Sequence, residues 1–95
     1  MRVVWTAPAL GHLEELQDFI ARDNPRAAFQ VAETIRAAVH SQLPGNPMMG
    51  RRGRVAGTRE LVVPDTRYVV AYRLEGDEIQ ILAVKHGAQR WPETL

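Results

Sequence analysis

Residues 67–85, RYVVAYRLEGDEIQILAVK, decide the fold of this chain. Apolar and polar residues alternate on either side of Glu75-Gly76-Asp77, a pattern that is typical of two strands joined by a tight turn. We predict strands over residues 67–74 and 78–85. Strand geometry divides the first of them into two faces. One face carries Tyr68, Val70, Tyr72 and Leu74, and the other carries Arg67, Val69, Ala71 and Arg73.

The residues before this hairpin predict two further strands and one loop. Residues 59–63 form a strand, and the Pro-Asp-Thr turn at residues 64–66 leads from it into the hairpin. Residues 44–57 are rich in Gly, Pro and Arg and predict a loop. Near the N-terminus, Val3-Val4-Trp5 is β-prone but too short to be stable alone, so we expect it to join the same sheet.

Two amphipathic helices are predicted between the short strand and the loop. Thr6 is a good helix cap and Pro8 is tolerated in a first turn, so the first helix begins here. Apolar residues at three- and four-residue spacing extend it to Ile20. Asp23-Asn24-Pro25 ends this helix and opens a second one, which continues to Leu43. Because the connection is short, we expect an antiparallel helical hairpin.

The predicted order is β-α-α-β-β-β within a single domain, residues 1–95. A helical hairpin packed on one face of a small, mainly antiparallel sheet would bury every apolar stripe, so we predict an α+β fold of this architecture. The opposite face of the sheet would then be available to a ligand or partner. We expect basic and aromatic residues on that face, at its rim or near its end: Arg59, Arg67, Arg73, Lys85, His86, Arg90 and Trp91.

Composition limits the class of protein. The chain has no Cys, and no two of its three His have the spacing of metal ligands, so we predict no metal and no cofactor. No apolar run is long enough to cross a membrane and no secretory signal is present, so we expect a cytoplasmic protein without a membrane partner. Residues 1–50 carry four basic and five acidic residues (net −1), and residues 51–95 carry eight and six (net +2). The basic half favours nucleic acid or an acidic partner.

One set of side chains has the chemistry of a metal-free ribonuclease. Such an enzyme needs a base for the 2′-hydroxyl, cations for the phosphorane and an acid for the leaving oxygen. His86 is the candidate that titrates near neutral pH. The set is Arg59, Tyr68, Tyr72, Arg73, Lys85, His86 and Arg90. Composition alone favours the alternative, in which the tyrosines pack in the core and the arginines keep the surface soluble.

Two stretches that cover nearly the whole chain are similar to one known group of proteins. They are VVWTAPALGHLEELQDFIARDNPRAA (residues 3–28) and GRRGRVAGTRELVVPDTRYVVAYRLEGDEIQILAVKHGAQRWP (residues 50–92). Together with the β-α-α-β-β-β order, they resemble the RelE/ParE superfamily of toxins from type II toxin–antitoxin modules. The final HGAQRWP is similar to the ParE-like, plasmid-stabilisation side of that superfamily.

The resemblance implies a toxin that arrests growth when free and is neutralised by a cognate antitoxin in a hetero-oligomer. Antitoxins of this group wrap a C-terminal amphipathic segment around the toxin and often add a strand to its sheet. We expect the antitoxin to bind the exposed strip of the first helix, at Leu13, Glu14 and Asp18, and the outer edge of the sheet.

The superfamily has two branches with different targets. RelE-like members cut mRNA on the ribosome with basic residues on the sheet, whereas ParE-like members act on DNA gyrase and are not recognised as hydrolases. Where RelE-like members have basic residues, this chain has Glu60, Val62 and Val69, and Gly87 or Ala88 near its C-terminus. A carboxylate on an RNA-facing strand would also repel phosphate. The resemblance therefore favours inhibition of gyrase.

The gyrase contacts are predicted from the charged and aromatic residues of the basic half: Arg59, Arg73, Lys85, His86, Arg90 and Trp91. The alternative is a ribosome-dependent mRNA endonuclease, in which His86 is the base or acid and Arg59, Arg73 and Arg90 hold phosphates. A third hypothesis is a degenerate toxin that serves only as a binding or autoregulatory subunit. The resemblance thus leaves open whether the chain is an enzyme.

Overall fold

The computed structural model describes residues 1–95 as two helices and five strands. The predicted order is confirmed, and one short strand is added within residues 44–57, where the sequence indicated only a loop. The elements are β1 (Arg2–Trp5), α1 (Ala7–Ala21), α2 (Pro25–Gln42), β2 (Arg51–Arg52), β3 (Arg59–Val62), β4 (Tyr68–Glu75) and β5 (Glu78–His86).

Both helices begin at the caps that the sequence predicts. The Thr6 side chain accepts a hydrogen bond from the backbone N–H of Ala9, and Asn24 accepts one from Ala27. The Thr6 hydroxyl also donates to the carbonyl of Ile81 at 2.7 Å. This contact fixes the start of α1 against the middle of β5. Neither helix is long and apolar enough to cross a membrane.

The five strands form one sheet in the order β1-β5-β4-β3-β2. β1 is parallel to β5, and the other neighbours are antiparallel. The β4–β5 hairpin closes with the two-residue loop Gly76-Asp77, in which Gly76 has φ +59°. Gly is favoured there because side chains resist a positive φ. The helices pack on one face of the sheet, so the predicted fold class is confirmed.

The two faces of β4 are those that the alternation predicts. Val70 and Tyr72 belong to the core between the sheet and the helices, and Tyr68 and Leu74 pack against it. The alternation is interrupted in β5, because Ala71 lies opposite Ala83 while Tyr72 lies opposite Ile81, which leaves Leu82 without a partner. This bulge keeps apolar residues on the core face at both ends of β5.

The face of the sheet that points away from the helices is only partly open. Val69, Ala71 and Ala83 lie on this face, yet all three are buried. Residues 55–58 of the loop and residues 93–95 line one pocket together with Arg73 of β4 and Leu82 of β5, and Val55 is itself buried. The second face is therefore less available than the sequence predicts, because its central residues are already buried.

Candidate functional site

The second face of the sheet contains a buried carboxylate. Glu60 on β3 is 2% exposed. Its Oε1 accepts hydrogen bonds from Nε and Nη2 of Arg51 at 3.2 and 2.9 Å, and its Oε2 accepts one from the backbone N–H of Arg54 at 2.8 Å. Burial alone would raise the pKa of Glu60, but these hydrogen bonds and the two guanidinium charges outweigh it and lower the pKa.

This arrangement corrects the sequence interpretation of Glu60. A bare carboxylate was expected to repel phosphate from the strand. In the structure its charge is compensated by Arg51 and Arg54, and its oxygens are not open to solvent. Glu60 therefore holds β2 through Arg51 and the following loop through Arg54, rather than opposing a ligand.

Arg59 and Tyr72 lie opposite each other on β3 and β4 and hold the segment that leads into β2. The Arg59 guanidinium donates to the carbonyls of Met48 and Gly50 at 3.2 and 2.8 Å. The Tyr72 hydroxyl donates to the carbonyl of Pro47 and accepts from the N–H of Gly50. Burial raises the pKa of Tyr72, and the Gly50 hydrogen bond and the Arg59 charge oppose this rise. Arg59 thus has a structural role that its sequence position did not reveal.

A groove of about 570 Å³ lies at the end of the sheet where β3 begins and β4 extends past it. Four arginines are among the residues that line this groove, and no acidic or aromatic residue lines it. We call it the arginine groove. Its lining residues are Arg52, Gly53, Arg54, Ala56, Gly57, Thr58, Arg59, Arg73 and Leu74.

The C-terminal residues are attached to the arginine groove through Arg54. The Arg54 guanidinium lies 4.3 Å from the centre of the Trp91 ring and donates to the carbonyl of Gly87 at 3.2 Å. Such a cation–π contact contributes about 0.5–1 kcal/mol at exposed sites. Trp91 is half-buried, and Arg90 beside it is exposed. Glu60, Arg54 and Trp91 therefore form a continuous connection from β3 to the tail.

A second cleft, of about 370 Å³, lies between α1 and the end of β5. It brings together His12 and Glu15 from α1, Tyr68 from β4, and Lys85 and His86 from β5. The rings of Tyr68 and His86 meet edge to face, 5.8 Å between centroids. We call this the histidine cleft. Two imidazoles, an ammonium and a phenol in one cleft have the chemistry of general acid–base catalysis or of anion binding.

The two imidazoles of the histidine cleft are fixed by backbone hydrogen bonds. His12 Nδ1 accepts from the N–H of Val84 at 3.3 Å, and His86 Nδ1 accepts from the N–H of Ala88 at 3.1 Å. Burial and the nearby Lys85 charge lower the pKa of His12, and Glu15 opposes them. Neutral His12 is also the form that accepts the Val84 hydrogen bond.

Comparison with known proteins identifies the family. The family model of the ParE toxin of the type II toxin-antitoxin system, parDE, matches residues 3–91. This chain belongs to the ParE toxin family. The Y4kP protein of Sinorhizobium fredii (strain NBRC 101917 / NGR234) is 43% identical to it over 94 residues, which are 99% of this chain and 96% of that protein. Toxin RelE2 of Caulobacter vibrioides (strain ATCC 19089 / CIP 103742 / CB 15) is 35% identical over 88 residues, 93% of this chain and 97% of that protein.

The ParE fold is also that of a solved structure. A chain described as a chromosomal ParDE TA system from P. aeruginosa has a TM-score of 0.76 and 27% identity, covering 90% of this chain and 95% of that chain. The resemblance to the RelE/ParE superfamily is therefore confirmed. The protein is the toxin of a type II toxin–antitoxin system, and this family implies an antitoxin partner.

The structure divides the predicted target residues of the toxin among three places. Arg59 and Arg73 line the arginine groove, Lys85 and His86 line the histidine cleft, and Arg90 and Trp91 lie on the tail. The four residues considered for RNA cleavage are likewise separated, since His86 lies in one cleft and Arg59 and Arg73 lie in the other. The structure therefore does not bring them together as one catalytic constellation.

One predicted antitoxin contact is misplaced on α1. Leu13 is 3% exposed and belongs to the core, so it is not part of the exposed strip. Leu13 faces the sheet together with Ala9 and Leu16, on the apolar side of α1. Glu14 and Asp18 are exposed, and Leu10, four residues before Glu14 on the same helix line, is 52% exposed. Phe19 at the rim of the histidine cleft is 66% exposed.

Sequence reasoning missed His12, Arg52 and Arg54. His12 is four residues before Leu16 and seven before Phe19, which places all three on one side of α1; this spacing was the available signal. Arg52 and Arg54 stood in a stretch recognised as basic, but no local pattern showed that a loop would fold back so that both join Arg73 at the end of β4.

Proposed function

We propose that this toxin stops growth by inhibiting DNA gyrase and that it does so without breaking a bond itself. The proposal rests on the residues that this chain has at the positions where RelE-like toxins have basic residues. Glu60 is buried and ion-paired, Val69 is buried, and Val62 is an exposed apolar residue. None of these three side chains supplies a cation for phosphate or a group for proton transfer.

The proposed gyrase contacts are the residues of the predicted set whose side chains are exposed or half-exposed and donate to no backbone carbonyl. They are Arg73, Lys85, His86, Arg90 and Trp91. Arg59 contributes indirectly, because its guanidinium holds the segment before β2 through two backbone carbonyls. Tryptophan is a frequent anchor in protein interfaces, and Trp91 presents a half-buried ring next to the exposed Arg90.

The antitoxin partner is proposed to cover exposed apolar residues of the helical hairpin. Leu10 and Phe19 on α1 and Phe29 on α2 are each more than half exposed. The acidic residues Glu14 and Asp18 follow Leu10 at four-residue spacing on one side of α1 and would pair with basic antitoxin residues. We propose a cytoplasmic location, where both gyrase and a newly made antitoxin are accessible.

A ribosome-dependent mRNA endonuclease is the second candidate, and two observations favour it. One relative, 35% identical, is named Toxin RelE2. The histidine cleft brings together His12 and His86, which would serve as an acid–base pair, and Lys85, which would serve as the cation for a phosphorane. In this function His86→Ala would stop mRNA cleavage and leave antitoxin affinity nearly unchanged, because Phe19 is the one proposed antitoxin contact that lines the cleft holding this imidazole.

Growth arrest followed by plasmid topology distinguishes the two candidates in cells. An inducible copy of the toxin without its antitoxin is expected to stop growth and to leave plasmid DNA relaxed, with mRNA 5′ ends unchanged. New mRNA 5′ ends at unchanged supercoiling would contradict the gyrase proposal. The double variant Arg90→Ala/Trp91→Ala is expected to lose toxicity. The matched double variant Arg22→Ala/Phe29→Ala changes one exposed cation and one exposed aromatic residue on the helices and is expected to remain toxic.

A further inference from the structure

The arginine groove concentrates positive charge that the fold does not neutralise. Arg51, Arg52, Arg54, Arg59 and Arg73 lie in or beside it, and Glu60 is the one carboxylate bound to any of them. The remaining charge faces a groove of about 570 Å³, which is larger than the 370 Å³ histidine cleft. A concentration of uncompensated guanidinium groups in a concave surface attracts anions.

Two arginines of the groove are fixed and two are free to bind. Arg54 is fixed by Glu60, Gly87 and Trp91, and Arg59 is fixed by two backbone carbonyls. The Arg52 side chain makes no hydrogen bond or ion pair. Arg73 uses only Nε, which donates to Gln80 at 2.8 Å, so its two terminal nitrogens are unoccupied. Arg54 and Arg59 are therefore held within the fold, whereas Arg52 and Arg73 keep planar donors that match phosphate oxygens.

From this arrangement we infer that the arginine groove binds the phosphodiester backbone of duplex DNA. The inference rests on the proposed gyrase function, because gyrase holds duplex DNA and the toxin would contact that DNA beside the enzyme. The inference is limited to the phosphodiester backbone: the groove has no Asn, Gln or acidic side chain to read adenine or cytosine, and its arginines are assigned to phosphates.

The lining of the groove disfavours two other ligands, single-stranded nucleic acid and an acidic protein partner. Proteins bind single-stranded nucleic acid by stacking its bases on aromatic side chains, and the arginine groove has none. Protein partners bury apolar and aromatic anchors at the centre of an interface. Here Leu74 is the one large apolar residue, and the remainder of the floor is Gly, Ala and Thr. Backbone phosphates, which need cations and close approach but no apolar pocket, fit this surface best.

Salt-dependent binding to DNA tests the inference on the purified, antitoxin-free toxin. Fluorescence anisotropy of a labelled duplex of random sequence is followed from low to moderate salt. The logarithm of the binding constant should fall with the logarithm of salt concentration, by about 0.9 for each phosphate contacted. Arg52→Ala and Arg73→Ala should each weaken binding and reduce this slope by about one. Arg26→Ala removes the same charge from exposed α2 and should leave the slope unchanged.

The outcomes separate this inference from the gyrase proposal, because the binding assay contains no gyrase. Absence of duplex binding by a folded toxin would overturn the inference, and so would an equal loss in Arg26→Ala and in the groove variants. Competition by single-stranded RNA or by polyglutamate as effective as that by duplex DNA would also overturn it. A toxin that binds duplex through the groove but spares gyrase would refute the proposed function alone. A toxin that inhibits gyrase but binds no duplex would refute the groove alone.

Discussion

Glu60→Gln removes a buried negative charge and keeps the size of the side chain. The carboxylate accepts three hydrogen bonds, two from the Arg51 guanidinium and one from the backbone N–H of Arg54. Glutamine has one carbonyl oxygen and one NH₂ group in place of two acceptor oxygens. In either orientation the NH₂ group of glutamine faces an N–H donor of Arg51 or Arg54. Two donors then point at each other, and at least one hydrogen bond is lost.

The expected loss is about 2–3 kcal/mol of unfolding free energy. A hydrogen bond to a charged group contributes roughly 1.5–3 kcal/mol, and an unsatisfied buried donor adds a penalty of about 1–3 kcal/mol. Solvent reduces these values here, because the Arg51 and Arg54 side chains are 55% and 39% exposed and can turn toward water. For a domain of this size, such a loss lowers the melting temperature by roughly 10–20 °C.

The same substitution changes the pH dependence of stability. The pKa of Glu60 is lower in the folded protein than its ordinary value of 4.5. A lowered carboxyl pKa stabilises the fold fully above the ordinary pKa, and this stabilisation is lost as the pH falls through the folded pKa. The native toxin should therefore lose stability below about pH 4.5, and Glu60→Gln should lose less over the same range because it has no carboxylate to protonate.

Urea denaturation followed by circular dichroism, at neutral pH and at several acidic pH values, measures both effects. Glu14→Gln is the matched control, since Glu14 is exposed on α1 and makes no ion pair; its unfolding free energy should change by less than about 0.5 kcal/mol. The account would be contradicted if Glu60→Gln also lost less than about 0.5 kcal/mol of unfolding free energy. It would also be contradicted if the unfolding free energies of Glu60→Gln and the native toxin fell in parallel with decreasing pH.

Two further substitutions and one titration test other contacts. Gly50→Ala should destabilise the fold by about 1–3 kcal/mol in urea denaturation, because a Cβ there would lie 2.5 Å from the Tyr72 hydroxyl oxygen. NMR titration should find the pKa of His12 below 6.5, because burial and Lys85 disfavour its charged form; its contribution to stability is then complete above pH 6.5 and is lost as the pH falls. Trp91→Ala should speed amide exchange of residues 87–95, because a guanidinium no longer holds the tail.

Each of these three tests has a control variant within the chain. Gly45→Ala should be tolerated, because no atom lies within 4 Å of a Cβ added there; equal losses at both glycines would contradict the steric explanation. His12→Gln should remove the loss of stability just below pH 6.5, and a profile that keeps it would assign that loss to another group. Phe29→Ala removes an exposed aromatic residue from α2 and should leave exchange in the tail unchanged.

Much of the fold was predictable because its signals are local. Thr6 and Asn24 cap the helices through residues three positions away, and Gly76 closes a two-residue hairpin loop. Strand alternation placed Tyr72 on one face with Val70, and the structure shows that this face packs against the helices. Signals of this kind depend on neighbouring residues, so a single sequence contains them.

The missed features depend on contacts between distant segments. β2 is two residues long and exists because Arg51 and Arg52 lie opposite Glu60 and Arg59. A two-residue strand has no periodicity to detect.

The candidate sites were predictable in composition but not in arrangement. The basic stretch near β3 was recognised, but its fixed and free arginines could not be told apart, because Arg59 binds carbonyls on another segment. The pairing of His12 with His86 in one cleft required the packing of α1 on β5, which no local spacing specifies.

Supercoiling by purified DNA gyrase in the presence of the antitoxin-free toxin decides whether gyrase is the target. Relaxed plasmid, gyrase and ATP are incubated with increasing toxin, and supercoiled product and cleaved DNA are measured together. We predict a toxin-dependent loss of supercoiling or an accumulation of cleaved gyrase–DNA complexes, either of them prevented by Arg90→Ala/Trp91→Ala. Undiminished supercoiling without added cleavage, from a folded toxin that still arrests cells, would contradict the gyrase function and point to the ribosome.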